Sequence, residues 1–273
     1  MIQKILSATL LLNFLLITSS VFAATDWCAS ANTKAGFKMQ ETSGVYLDCS
    51  SNSNNGTIAG TVTRGATGKY ANGVQFTQSN NADINISSAS SLNNIDPISV
   101  ALWANNNSDG DNSANQTDAG VLIQKNGRSW LFAHKQTNKL RWLVHYSGGN
   151  TAWDTTTAVV GYGVFEHYAV THNRAGAGVP TFYVNGVSKT VSGGTPFGTI
   201  DDDSGTQIFI GISGSGGVNE LDSTVDELLV YGGILTSTDV NEVKDNGLDG
   251  LQGASDVYSG RGMGRGIGRG VGR

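Results

Sequence analysis

From residue 44 onward the apolar residues fall in short runs separated by Gly, Asn and Ser, with no sustained helical period. Residues 100–103, 120–123, 129–133, 140–146, 167–171, 181–184, 207–210 and 225–231 are predicted as strands, because β-branched and aromatic side chains crowd between turn-forming dipeptides. Asn126-Gly127 and Asn185-Gly186 predict hairpin turns, since both residue types tolerate the positive φ such turns need. Many short strands without a long helix imply an antiparallel sandwich. One short helix is expected over 237–245, opening on a Thr/Ser N-cap. The polar stretches 105–118 and 190–203 read as long surface loops.

The first 23 residues break this pattern. Lys4 precedes an almost wholly apolar run over 5–17, and Val21-Phe22-Ala23 supplies the small-residue pattern of a cleavage site. Together they predict a secretory signal peptide cut near Ala23-Ala24. The run is shorter than the roughly 20 residues of a membrane span. The mature chain is therefore expected in the periplasm, at the cell surface or outside the cell. Export makes a disulfide between Cys28 and Cys49 the expected state.

Composition sharpens this picture. Of 273 residues 37 are Gly, 3 are Pro and only 14% are charged, while 9 Phe, 8 Tyr and 5 Trp can build a core. That excludes wholesale disorder and argues against a helical bundle. The formal net charge of −5 is unevenly placed: residues 24–259 carry 12 basic and 22 acidic side chains, whereas 260–273 is an Arg-Gly-x-Gly repeat with four Arg. Arg-Gly repeats can contact single-stranded nucleic acid, but in an exported chain no nucleic-acid partner is expected. An anionic surface glycan or lipid head group is the expected contact of the tail. The organisation read from the chain is a signal peptide over 1–23, one β domain over 24–250 and a flexible cationic tail over 251–273.

Several motifs follow one another in order. They are Asp48-Cys49-Ser50-Ser51-Asn52-Ser53-Asn54-Asn55-Gly56, then Gly68-Lys69-Tyr70-Ala71-Asn72-Gly73-Val74-Gln75-Phe76, then the strand over 98–103 and Ile123-Gln124-Lys125-Asn126-Gly127. After residues 139–144 come Phe165-Glu166-His167-Tyr168-Ala169-Val170-Thr171, Phe182-Tyr183-Val184-Asn185-Gly186-Val187 and Val225-Asp226-Glu227-Leu228-Leu229-Val230-Tyr231. This series resembles bacterial LamG-like domains of the concanavalin A-like lectin/glucanase superfamily. The resemblance implies an all-β jelly-roll sandwich of two curved antiparallel sheets. It also implies a structural calcium at the Asp-rich turn, with Asp48, Asn52 and Asn55 as oxygen ligands and Asp226 or Glu227 completing the shell. Ser51 and Ser53 stand where the family has glycines, and Cys49 can fix the turn covalently. A turn held by side-chain-to-backbone hydrogen bonds is the alternative.

Glycan-cleaving members of the superfamily pair carboxylates on one strand, which requires i, i+2 or i, i+4 spacing. Glu220-Leu221-Asp222 comes nearest, but Ser223, Thr224 and Val225 follow, and Asp226 and Glu227 would point to opposite faces of a regular strand. Asp109, Asp111 and Asp118 resemble a calcium loop, yet Ala114 occupies the position where the EF-hand needs Gly. His134, His145, His167 and His172 lack zinc-site spacing. His167 is expected to be a buried structural residue. Sugar stacking would need exposed aromatic faces. Trp142 and Tyr146 share one strand face, Trp130 and Arg141 are possible neighbours, and Trp153-Asp154 is predicted in a following loop. Trp142 is readily explained as core, whereas Trp153 is expected to be exposed. These readings converge on a non-catalytic secreted module that binds carbohydrate or another cell-surface ligand. A structural or adhesive envelope protein using its Arg-Gly tail for assembly is the alternative, and a glycoside hydrolase a third.

Overall fold

The computed structural model describes residues 24–250 apart from residues 79, 109, 111–117, 177, 213 and 215–218. The predicted signal peptide, the Arg-Gly tail, Asp109 and Asp111 lie outside the described residues. In chain order the strands are β1 (Thr33–Phe37), β2 (Gly56–Ala59), β3 (Thr63–Thr67), β4 (Asn72–Phe76), β5 (Asp83–Ile86), β6 (Ile98–Asn106), β7 (Asp118–Lys125) and β8 (Trp130–Lys135). There follow β9 (Lys139–Tyr146), β10 (Gly149–Thr155), β11 (Phe165–His172), β12 (Thr181–Val184), β13 (Val187–Lys189), β14 (Val191–Gly193), β15 (Ile208–Ile210) and β16 (Ser223–Tyr231). A helix, α1 (Ser237–Asn246), comes after them.

The strands form the two-sheet jelly-roll sandwich. The first sheet runs β13-β12-β11-β6-β16-β4-β3, with β1 also on β16; the second runs β14-β10-β9-β8-β7-β15-β5-β2. Strand alternation decides which side chains meet between the sheets. In β6, Val100, Leu102 and Ala104 face inward, and in β8, Trp130 and Phe132 do so, while Leu131 and Ala133 form a separate outer cluster. The interior is aromatic: Trp130 stacks on Trp142 with ring centroids 5.7 Å apart, and Phe132 packs edge-on to Trp142.

A third layer covers part of the first sheet. Thr236 and Asp239 form a reciprocal capping box that starts α1. Val240 and Val243 of the helix then pack with Ala101, Ala169, Leu229 and Trp27. The Cys28–Cys49 disulfide is present and fastens the N-terminal segment to the Asp48 turn. A Cβ at Gly36 would lie 2.8 Å from the Cys49 sulfur, so the bridge passes over β1 only because that residue is glycine.

Three local expectations change. Asn185 and Gly186 both take positive φ and join β12 to β13 as predicted. At Asn126-Gly127 only Gly127 does, inside a 3-10 turn over Asn126–Arg128. The stretch 190–203 is not wholly loop, because it contains β14, which pairs with β10 at Trp153, Asp154 and Thr155. β16 is also irregular: its register with β6 shifts between Asp226 and Leu229, and Glu227 has φ 51°. This bulge divides its other edge, which pairs with β4 at Ser223–Val225 and with β1 from Leu228 onward.

Candidate functional site

The aromatic side chains expected to meet sugar are core. Trp130, Trp142, Trp153 and Tyr146 are 0%, 0%, 1% and 2% exposed. Trp153 is a strand residue of β10 opposite Trp142 and packs 4.9 Å from the His172 ring, not a loop residue. The Trp142 indole N–H donates to His172 Nδ1 at 3.1 Å, and the Tyr146 hydroxyl donates to the Arg174 carbonyl. None of the four rings offers a face to a ligand. Asp154 faces outward but is held by Lys135 and by Arg141, whose Nε lies 2.7 Å from its carboxylate.

The residues expected around calcium also do other work. Asp48 Oδ1 accepts from the Gly36 and Ser50 amides, and Oδ2 from Ser50 Oγ and the Asn54 amide, all within 2.7–2.9 Å. Asn52 donates through Nδ2 to the Thr33 carbonyl, and Asn55 Oδ1 accepts from the Asp48 amide. On β16, Asp226 accepts from the Tyr70 and Glu227 amides and Glu227 from the Leu248 amide. Among the described residues no three His, Cys, Asp or Glu side chains converge as a metal-holding group. The set Asp48, Asn52, Asn55, Asp226 and Glu227 therefore does not fit a single calcium shell. It is a turn tied by side-chain-to-backbone bonds and, apart from it, two acids that anchor neighbouring segments.

The bulge brings those two acids to the same side. Asp226 stands opposite Trp103, and Glu227 reaches Leu248 in the layer outside the first sheet. Adjacent residues on a regular strand would have diverged, as the sequence predicted. Desolvation pushes Asp226 up to about 8 and Glu227 up to about 7, against the pull of the backbone N–H donors on each. Of the other two acids considered for catalysis, Glu220 is buried, and Asp222 accepts from Asn107 and Ser108 and so closes a loop. His134 and His167 are fully buried, and burial drives both rings down to about 3.

A pocket of mixed polar and apolar lining lies elsewhere, on the outer face of the second sheet, and none of the sequence motifs above points to it. Ile84 and Ile86 of β5 enter the core, so alternation turns Asp83 and Asn85 outward. Asn85 stands between Thr57 of β2 and Phe209 of β15, and Asp83 lies opposite Ala59. With Asn81, Gln207 and the segment at Ile212 and Gly214 they line a cavity of about 290 Å³. Asn85 Nδ2 donates to Gln207 Oε1 at 3.3 Å. Asp83 is 7% exposed, its Oδ1 has no hydrogen-bond partner, and burial pushes its carboxyl up to about 6. The available signal was Asn81-x-Asp83-x-Asn85 interleaved with Ile84 and Ile86, which is the alternation of a half-buried strand.

The family model of laminin G type described as the concanavalin A-like lectin/glucanases superfamily matches residues 76–241, more than half the chain. The chain belongs to that superfamily. No curated protein matches it in sequence. Among solved structures, this superfamily member is similar to the receptor-binding domain of botulinum neurotoxin mosaic serotype C/D, with 14% identity and a TM-score of 0.59, covering 78% of this chain and 50% of that one. The binding domain of Paraclostridial Mosquitocidal Protein 1 is similar at 15% identity and 0.59, covering 78% and 52%. The binding domain of botulinum neurotoxin DC, solved in complex with rat synaptotagmin II, is similar at 13% and 0.57, covering 77% and 51%. The chain thus spans about half the length of each of these domains, and the likeness is one of fold.

Proposed function

We propose that this chain is an exported, non-catalytic module that binds carbohydrate or another cell-surface ligand. The observation that carries the reading is the Asp83 pocket, a recess on a sheet face with polar walls, an aromatic side chain and one carboxylate. Glycoside hydrolysis through paired acids needs a second carboxyl group across the bond, and Asp83 is the one acid lining this cavity. The toxin receptor-binding domain and the mosquitocidal protein's binding domain lend support, since a fold like this one makes up about half of each. Export rests on the N-terminal sequence, and amino-terminal sequencing of the secreted protein is expected to begin at Ala24. The functional test is a glycan array and intact-cell binding with the purified mature chain. Saturable binding without release of reducing sugar is expected. Binding to neither surface, or sugar release, would refute the reading.

A further inference from the structure

We propose that the pocket between β2, β5 and β15 is the ligand site, taking one neutral sugar ring whose hydroxyls donate to Asp83. The inference rests on the binding reading above and adds the place and the ligand chemistry.

One carboxylate oxygen of Asp83, Oδ1, is buried without a hydrogen-bond partner. A buried carboxylate without donors is unfavourable by roughly 1–3 kcal/mol or more, and folds keep such groups where a ligand satisfies them. The lining residues Ala59, Asn81, Asn85, Gln207 and Phe209 supply no cation. Among the described residues no donor reaches that oxygen, and a bound molecule is the source we assign.

The carboxamides decide what kind of donor. Asn81, Asn85 and Gln207 each present an NH2 group as well as an oxygen, and the Asn85–Gln207 bond uses one N–H and one oxygen. An ammonium ligand would satisfy the carboxylate but offer nothing to the remaining N–H groups. An anion would meet Asp83 itself. Hydroxyl groups donate and accept, so a polyhydroxy ring can answer both the carboxylate and the amides. Ala59, Phe209 and Ile212 form an apolar wall against which the C–H groups of such a ring can pack; Phe209, 3% exposed, presents no open stacking face. At about 290 Å³ the cavity lies at the small end of ligand sites, which suits one ring and not an extended chain.

The site also carries its own pH dependence. β2 and β15 contain no titratable residue, nor do Asn81, Gln207, Ile212 or Gly214. Among the described residues Asp83 is thus the one titratable residue lining the cavity. Binding is expected to be strongest above about pH 6, where the carboxylate accepts hydroxyl donors, and to weaken as it protonates.

The test is ligand-observed saturation-transfer NMR on the mature chain, with D-glucose, D-galactose, D-mannose and N-acetylglucosamine as probes and ethanolamine as the cationic control. At least one of the four sugars is expected to show transfer. Asp83→Ala and Asn85→Ala should weaken it by about tenfold, and Asp83→Asn should remove the pH dependence. Melting temperatures of the Asp83 variants should equal or exceed that of the parent, which separates lost binding from lost folding. The same proteins are applied to the glycan array. Array binding that survives Asp83→Ala, or transfer to ethanolamine in place of the sugars, would overturn the pocket and leave the binding function standing. Failure of the parent protein on sugars, array and cells alike would remove both.

Discussion

Whether a tryptophan in this chain is core or surface depends on what pairs beside its strand. Trp153 has β9 on one side and β14 on the other, and its ring is enclosed against His172. Trp153→Ala is therefore expected to destabilise the fold by about 3–5 kcal/mol, seen as a lower denaturation midpoint. Binding per folded molecule should stay unchanged; a selective loss of binding would place the ring in a ligand site. Asp48 is a second case, because its four acceptor bonds serve β1 and its own turn. Asp48→Ala should cost about 1–3 kcal/mol, and millimolar calcium should leave the parent melting temperature in place. A clear upward shift with calcium would return these residues to metal binding. Trp142 was legible as core in the sequence, whereas Trp130 and Tyr146, expected as possible ligand contacts, were not: Leu131, Ala133 and Leu143 interrupt the apolar–polar alternation that would have marked one buried face. Trp153 was not, because its outer neighbour is the three-residue Val191-Ser192-Gly193, too short and polar to register as a strand. The Asp83 pocket escaped for a related reason: β2 and β5 are four-residue strands set among Asn, Ser and Gly, and their chemistry emerges only when β15 is laid beside β5.

At the level of elements, the longer strands and the helix were readable and the irregularities were not. α1 runs Ser237–Asn246 against an expected 237–245, because the Thr236–Asp239 box marks its start locally. The β16 bulge leaves no comparable trace, since Val225 to Tyr231 reads as an uninterrupted strand; the positive φ at Glu227 is imposed by partners distant in sequence. The disulfide was legible from the predicted signal peptide and from there being two cysteines. Cys28 and Cys49 are 21 residues apart, and closing such a loop contributes roughly 3 kcal/mol in the chain-entropy model. The double variant Cys28→Ser/Cys49→Ser should melt lower by several degrees, at about 2–4 °C per kcal/mol for a chain of this size. Reductant should reproduce that drop in the parent and leave the variant unmoved.

For the molecule as a whole, two sets of buried groups give stability opposite pH slopes. His134 and His167 are held neutral, with folded values near 3. Their contribution is complete above the ordinary histidine range near 6.5 and is lost as pH falls toward 3. Asp83, Asp226 and Glu227 are shifted upward to about 6, 8 and 7. Their contribution is complete below the ordinary carboxylate range and is lost as pH rises through those values. Between about pH 4 and 6.5 the two slopes oppose each other, and above that the acids act alone. The melting temperature is expected to decline by a few degrees from pH 6.5 to 8.5. Glu227→Gln, which keeps an oxygen for the Leu248 amide, should flatten that alkaline limb, and His134→Leu the acid one. An unchanged profile in both variants would show that these groups do not set the pH response.

On the export proposed above, the divided edge of β16 bears on how the chain reaches this state. β6 lies along one side of that strand, and β4 and β1 share the other. All three come earlier in the sequence, β1 by about 190 residues. If the chain crosses a translocation channel N-terminus first, as the proposed export requires, these strands wait with unpaired backbone edges until nearly the entire domain has crossed. Closure of the first sheet then depends on contacts between distant parts of the chain, the circumstance in which folding is slow and strand edges are open to wrong partners. The Cys28–Cys49 loop can form long before that moment. For most of such a passage it would be the one disulfide constraint on the chain, whose two cysteines are both in it.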